Sequence, residues 1–180
     1  DSIELYGIRN WGAGFFTVSD EGDVVVCPQG PKGPQISIPE IISGLRERGY
    51  DMPVLLRVEN ILDSRIASLH ESFRKAIKNV NYQGEYRGVF PIKVNQQQQV
   101  VEKIAQFGSR YHHGLEVGSK AELIAAVSLM RDTEACIVCN GYKDEEFIDL
   151  GLQAQRLGFN LFFVLEMPSE LGVLLSRSRE

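Results

Sequence analysis

Hydrophobic and polar positions along this 180-residue chain follow two different periods. Early on, the apolar positions form short β-prone runs, Phe15-Phe16-Thr17-Val18 and Val24-Val25-Val26-Cys27. The polar stretch Ser19-Asp20-Glu21-Gly22-Asp23 between them predicts a hairpin, within a segment 1–30 that reads as β structure. Trp11-Gly12-Ala13-Gly14 reads as a turn, and Pro28 to Pro34 as a loop by composition. Pro39 to Arg48 reads as a short helix, with Ile41, Ile42 and Leu45 on one side and Gly49 as its stop.

After Pro53 and the apolar run Val54-Leu55-Leu56-Arg57, the pattern becomes an alternation of helix and strand. Ile66, Leu69, Phe73, Ala76 and Ile77 fall at three- and four-residue steps and predict a helix over 62–79. A strand within 86–96 follows, then a helix over 97–107 and a strand over 111–117. Next come a helix over 120–130, a strand over 135–139, a helix over 144–157 and a strand over 161–165. From Ser169 the chain opens another helix. Ser119 with Glu122 fits a capping box at the start of the 120–130 helix. Repeated βα units with short links predict a parallel sheet wrapped by helices, open or closed into a barrel. The expected division is an amino-terminal β segment with linker and short helix at 1–52, and βα units over 53–180.

Charge removes some function classes. The net charge is −5 and no lysine- or arginine-rich run occurs, which argues against non-specific nucleic-acid binding. No apolar stretch approaches a membrane span, Leu161 to Leu165 being far too short. Asp-Ser-Ile-Glu-Leu-Tyr at the start has neither the basic residues nor the apolar core of a signal peptide. The chain begins on Asp1, which leaves room for an upstream segment. Three cysteines, an odd number, suit a reducing compartment, and a cytoplasmic location is the expectation. Cys136 and Cys139 make a C-x-x-C, but on a strand residues three apart face opposite ways, so both read as small core hydrophobes.

The candidate chemistry centres on residues 86–96, Tyr-Arg-Gly-Val-Phe-Pro-Ile-Lys-Val-Asn-Gln. Val89, Phe90, Ile92 and Val94 read as a buried strand, in which Pro91 counts against a central antiparallel position. One lysine in such a run, Lys93, is costly to bury as an ammonium. The cost falls if the amine is used covalently; the plain alternative is a stem that packs and a head that snorkels to water.

The block Val-Phe-Pro-Ile-Lys-Val-Asn-Gln-Gln, with Gly114-Leu-Glu-Val-Gly-Ser-Lys120 and Cys139-Asn-Gly-Tyr-Lys-Asp144 after it, resembles the biosynthetic arginine decarboxylases. These are pyridoxal-phosphate enzymes of the alanine racemase and ornithine decarboxylase barrel type. The resemblance runs from about Tyr6 to about Leu171. It implies an α/β fold, the amino-terminal portion of a (β/α)8 TIM-type barrel preceded by a small β segment. It also implies pyridoxal 5'-phosphate as cofactor, held by Lys93 as a Schiff base, with Mg2+ dependence and homo-oligomers. The implied activity is decarboxylation of L-arginine to agmatine, feeding polyamine synthesis. Alternatives are a related decarboxylase of ornithine or diaminopimelate, or a truncated homologue that binds without turnover.

Four polar residues stand at or beyond expected strand ends: Asn95, Glu116, Ser119 and Asn140. Asn95 follows Lys93 by two and shares its side in an extended chain. Their functional reading is support for the cofactor; their alternative is capping and turn work. Gly118 and Gly141 read as turn residues. His70 is expected at the surface or boundary of its helix, and His112 and His113 on opposite faces of a strand. Gly12-Ala-Gly14 precedes a hairpin and not a helix, so it is no phosphate loop. A full barrel takes roughly 250 residues. The chain therefore reads as part of a longer decarboxylase, with a carboxy-terminal portion of the enzyme as its missing partner.

Overall fold

A computed structural model describes residues 2–179. The chain divides into two compact units, one up to Arg65 and one from Ile66 on.

The first unit opens with two short helices, α1 (Ser2–Leu5) and α2 (Ile8–Gly12), where the residue pattern had suggested β structure. The pattern misleads because Gly7 and Gly12 look like breakers. Gly7 instead takes the left-handed conformation between the helices, and Ala13 and Gly14 turn the chain beyond α2, both at positive φ. The expected hairpin then forms: β1 (Phe16–Val18) pairs antiparallel with β2 (Val24–Val26), and Phe16 lies opposite Val26. A two-residue strand, β3 (Ile36–Ser37), adds to β2. It leads directly into α3 (Ile38–Glu47), where the Ser37 hydroxyl accepts from the Glu40 N–H at 3.3 Å.

Helix α4 (Glu59–Asn79) leads into the second unit, which is built on four parallel strands. These are β4 (Val89–Pro91), β5 (Gly114–Val117), β6 (Cys136–Cys139) and β7 (Asn160–Phe163), in that spatial order. Between them run α5 (Gln98–Gly108), α6 (Lys120–Leu129) and α7 (Glu145–Arg156), and α8 (Pro168–Arg177) follows β7. This is the α/β succession of the opening strands of a (β/α)8-type barrel, preceded by a small antiparallel sheet.

Register separates the two faces of the parallel sheet. Leu115 and Ile137 lie side by side on one face, both with no exposed surface, and Val117 and Cys139 follow on that face. Helix α7 packs there, since a side chain at Gly151 would run into Phe163 and Leu161. The row Pro91, Glu116, Val138, Phe162 points the other way, and Phe162 is exposed. A sheet in which one face is covered by crossover helices and the other holds a half-open row is what a curling βα array produces before it closes.

The strand expected within 86–96 is shorter than the residue pattern suggested. It ends at Pro91, and Ile92–Val94 form a 3-10 turn. Pro91 is tolerated because β4 is one of the two edge strands of the four. In the turn Ile92 is buried, while Lys93 and Val94 swing outward, so Lys93 is not the buried lysine that its apolar neighbours implied.

The histidines also correct the residue-level expectation. His70 is buried, and its Nε2 lies 2.9 Å from Nδ1 of His113, also buried. His112 caps a 3-10 turn (Ser109–Tyr111) in the left-handed conformation, with Nδ1 2.9 Å from Asp132. Strand β5 begins only at Gly114. His70 faces inward because its ring has aromatic partners on other segments, stacking on Tyr111 at 4.8 Å and tilting against Tyr86 at 5.0 Å. Leu69, its neighbour in sequence, lies on the exposed helix face instead. Burial first, and the neighbouring His70 second, push the His113 pKa down from 6.5 to about 4. The fold therefore favours neutral His113. Its contribution is complete above about pH 6.5 and is lost as pH falls toward 4, because the unfolded chain takes up the proton first. Urea midpoints are expected to drop across that window, and the drop should be shallower in His113→Gln.

Candidate functional site

Parallel strands bring all their carboxy-terminal ends to one edge, and that edge collects the polar residues. The turn after β4 presents Lys93, whose side chain is 65% exposed. Its Nζ stands 3.6 Å from Oε1 of Glu116, which is 20% exposed. Glu116 is the acidic member of the row on the open face of the sheet. The ammonium and carboxylate attract one another without locking into a short bond, so the amine is reachable.

Of the other three candidates, Asn95 and Ser119 have their side chains engaged in local turns and caps. Lys93 lies in a 3-10 turn, so strand alternation does not place Asn95 beside it; the Asn95 Oδ1 accepts from the Gln97 N–H at 3.2 Å. The Ser119 hydroxyl caps α6, accepting from the Glu122 N–H at 3.2 Å. Glu122 completes a shifted capping box, because its Oε2 accepts from the Gly118 N–H at 2.7 Å and not from that of Ser119. Its other oxygen accepts from Gln96 at 3.1 Å, which links the turns after β4 and β5. Asn140 is half-buried just beyond β6, and its N–H donates to the Val117 carbonyl at 2.8 Å. Ser119→Ala should cost about 1 kcal/mol of stability through the lost cap. Chemical denaturation of the two proteins side by side measures it.

Two carboxylates at this edge, those of Glu166 and Glu170, escaped residue-level reading. Gly141, at φ 77°, donates its N–H to Oε1 of Glu166 at 2.9 Å. Next to it, Lys143 and Glu170 form a buried ion pair at 3.2 Å, with side chains 1% and 7% exposed. Glu170 also accepts from the N–H groups of Lys143 and Glu166, at 2.9 and 2.8 Å. Burial alone pushes the Glu170 pKa up, but these hydrogen bonds and the Lys143 ammonium together hold it below the usual value. The pair ties the loop after β6 to the first turn of α8. Lysine and glutamate 27 positions apart give no spacing signal, and their flanking residues, Tyr142 and Asp144, Ser169 and Leu171, single neither out for burial.

The same edge bears on what a phosphorylated cofactor needs. The glycine turns at Gly118 and Gly141 look like phosphate cradles, yet both N–H groups are already taken by carboxylates, those of Glu122 and Glu166. Attachment through Lys93 fits; phosphate donors from these two turns do not. Cys136 and Cys139 are buried and unpaired, and burial pushes the Cys139 thiol up to about 12, with Lys143 opposing. Both are inert core residues. Among the described residues no group of three or more His, Cys, Asp and Glu is placed to hold a metal ion. Among them, too, no helix is long and apolar enough to cross a membrane.

Residues 64–177 match the family described as pyridoxal-dependent decarboxylase, pyridoxal binding domain. The biosynthetic arginine decarboxylase of Rhodopirellula baltica is 47% identical over 180 residues, covering all of this chain and 27% of that protein. The enzyme of that name from Prochlorococcus marinus (strain MIT 9303) is 43% identical, covering 100% of this chain and 28% of the relative. The crystal structure of the biosynthetic arginine decarboxylase from Campylobacter jejuni superposes with a TM-score of 0.90 at 34% identity. It covers 97% of this chain and 29% of the other. The chain thus spans about 28% of the length of the curated relatives it matches.

Proposed function

The chain belongs to the pyridoxal-dependent decarboxylases, and we propose that it is the lysine-bearing part of an enzyme that converts L-arginine to agmatine. One observation carries the reading: an accessible Lys93 amine at the carboxy-terminal edge of the parallel sheet, 3.6 Å from the carboxylate of Glu116. Pyridoxal phosphate is the family's cofactor and supplies the electron sink that lets an amino acid lose its carboxylate as carbon dioxide.

The chain's own residues then have distinct tasks. Lys93 holds the cofactor covalently through Nζ, and when free its amine is placed to hold and deliver a proton. Glu116 orients that amine and balances its charge. Asn140, Asn95 and Ser119 shape the rim, the last two by fixing the helix starts beside it. In the whole reaction arginine loses carbon dioxide and gains a proton at Cα.

Further elements come from outside these residues. The open row Glu116, Val138, Phe162 calls for the remaining strands of a barrel, which belong to the carboxy-terminal portion of the enzyme. That portion would also supply the phosphate donors that Gly118 and Gly141 do not. A homo-oligomer in the cytoplasm completes the reading, in keeping with three free, buried thiols.

Substrate choice rests on the relatives. The complete enzyme, assayed in parallel with arginine, ornithine and diaminopimelate, should release carbon dioxide from arginine and form agmatine. Preference for either of the others would overturn the substrate while leaving the family intact. No turnover with any of them would favour a binding protein.

A further inference from the structure

Asn140 and Gly141 make the only Asn-Gly sequence in the chain, and it falls in the turn after β6. In such a pair the backbone nitrogen of the glycine attacks Cγ of the asparagine. A succinimide ring forms, ammonia leaves, and the proton of the N–H passes to solvent base. Water then opens the ring at either carbonyl, which leaves aspartate or isoaspartate in place of the asparagine. Asparagine is among the thermolabile side chains, and a following glycine puts no side chain in the way of the attack.

The turn cannot shed this hazard by changing the glycine. Gly141 has φ 77°, and a Cβ there would stand 3.0 Å from the Gly118 carbonyl oxygen. A clamp on the reacting peptide is present instead. The Asn140 N–H donates to the Val117 carbonyl at 2.8 Å. The Gly141 N–H, whose nitrogen is the nucleophile, donates to Oε1 of Glu166 at 2.9 Å. The Gly141 carbonyl accepts from Nζ of Lys143. Lys143 pairs in turn with Glu170, which also accepts from the Glu166 N–H at 2.8 Å and so fixes the residue that supplies the carboxylate.

Ring closure strips the Gly141 nitrogen of its hydrogen and draws it toward the Asn140 side chain. The bond to Glu166 has to be given up on the way. The folded protein therefore reacts only through a locally opened state, and its rate falls with the population of that state.

We propose that Asn140 is a deamidation site kept closed by the hydrogen bond from Gly141 to Glu166. Its opening would set a new carboxylate on the rim of the proposed cofactor site. The inference does not depend on the decarboxylase reading, because its readout is the chemistry of one peptide. The complete protein would be held at mildly alkaline pH and physiological temperature. The peptide containing Asn140 would be followed by mass and by an isoaspartate-specific methyltransferase. Glu166→Ala should deamidate about fivefold faster at Asn140, the effect of losing one net hydrogen bond at an exposed position. Glu166→Gln, which keeps an acceptor oxygen without the charge, should stay near the unaltered rate. Urea midpoints confirm that both variants are folded. A measurement on the unaltered protein needs no variant: in urea below the unfolding transition, hydrogen exchange at the Gly141 N–H and deamidation at Asn140 should rise together. Deamidation of Glu166→Ala at or below the unaltered rate, Glu166→Gln as fast as Glu166→Ala, or deamidation independent of Gly141 exchange would overturn the proposal.

Discussion

Lys93→Ala is expected to abolish decarboxylation by the complete enzyme. Loss of proton delivery by a positioned amine removes roughly 10²–10⁴-fold in rate by itself, and loss of the covalent hold on the cofactor adds to it. Lys93→Arg should be as damaging, because a guanidinium keeps the charge but cannot take the amine's covalent role. Stability should hardly change, since the Lys93 side chain is 65% exposed and its partner Glu116 stands 3.6 Å away. Equal urea midpoints beside a collapsed turnover would separate the chemical role of Lys93 from a structural one. Turnover within a few-fold of the unaltered enzyme would remove Lys93 from the mechanism.

Glu170→Ala should have the largest effect on stability. It leaves the Lys143 ammonium in a place where only 1% of its side chain meets water, and breaking a buried pair in this way costs about 3–5 kcal/mol. The same substitution releases the backbone donors of Lys143 and Glu166. Both losses fall on the loop after β6 that carries Asn140, so cofactor affinity of the complete enzyme should fall as well. Replacing both partners by apolar residues, Lys143→Met with Glu170→Leu, should be milder than Glu170→Ala alone. Acid acts like the single substitution. The folded carboxylate has the lower pKa, so its contribution is complete above about pH 4.5 and fades as pH falls below that. Denaturant midpoints of the single and double variants, taken at neutral pH and near pH 4, measure these effects. A Glu170→Ala midpoint equal to that of the unaltered protein would show the pair to be inconsequential.

Features written in local spacing were legible from the residues alone. Helices α5, α6 and α7 start and stop within about two residues of where periodicity and caps set them, Ser119 and Asp144 each accepting from the first turn. The alternation of strand and helix yields the parallel sheet, and the hairpin of β1 and β2 follows from its polar joint. Features that depend on partners distant in the chain were not legible. His70 looks like a surface residue until Tyr86, Tyr111 and His113 gather around it. Lys143 and Glu170 meet only because β6 and β7 lie side by side.

The candidate site divides along the same line. Lys93 and Glu116 stand out as charges among apolar neighbours, and the fold brings them together. Their exact presentation was not readable, because the run Val89 to Val94 is uniformly β-prone and nothing in it announces the 3-10 turn. Strand β3, two residues long, and helices α1 and α2, of four and five, are too short for any period to show. Asn95 and Ser119 were ambiguous between cofactor support and capping, and their hydrogen bonds are those of caps and turns.

Borohydride trapping tests the central claim most directly. The complete enzyme, loaded with pyridoxal phosphate, would be reduced, digested and its labelled peptide located by mass. A single label on Lys93, lost in Lys93→Ala, is the expected result. A label on another lysine, or scattered over the surface lysines, would contradict the assignment of Lys93 as the residue that holds the cofactor.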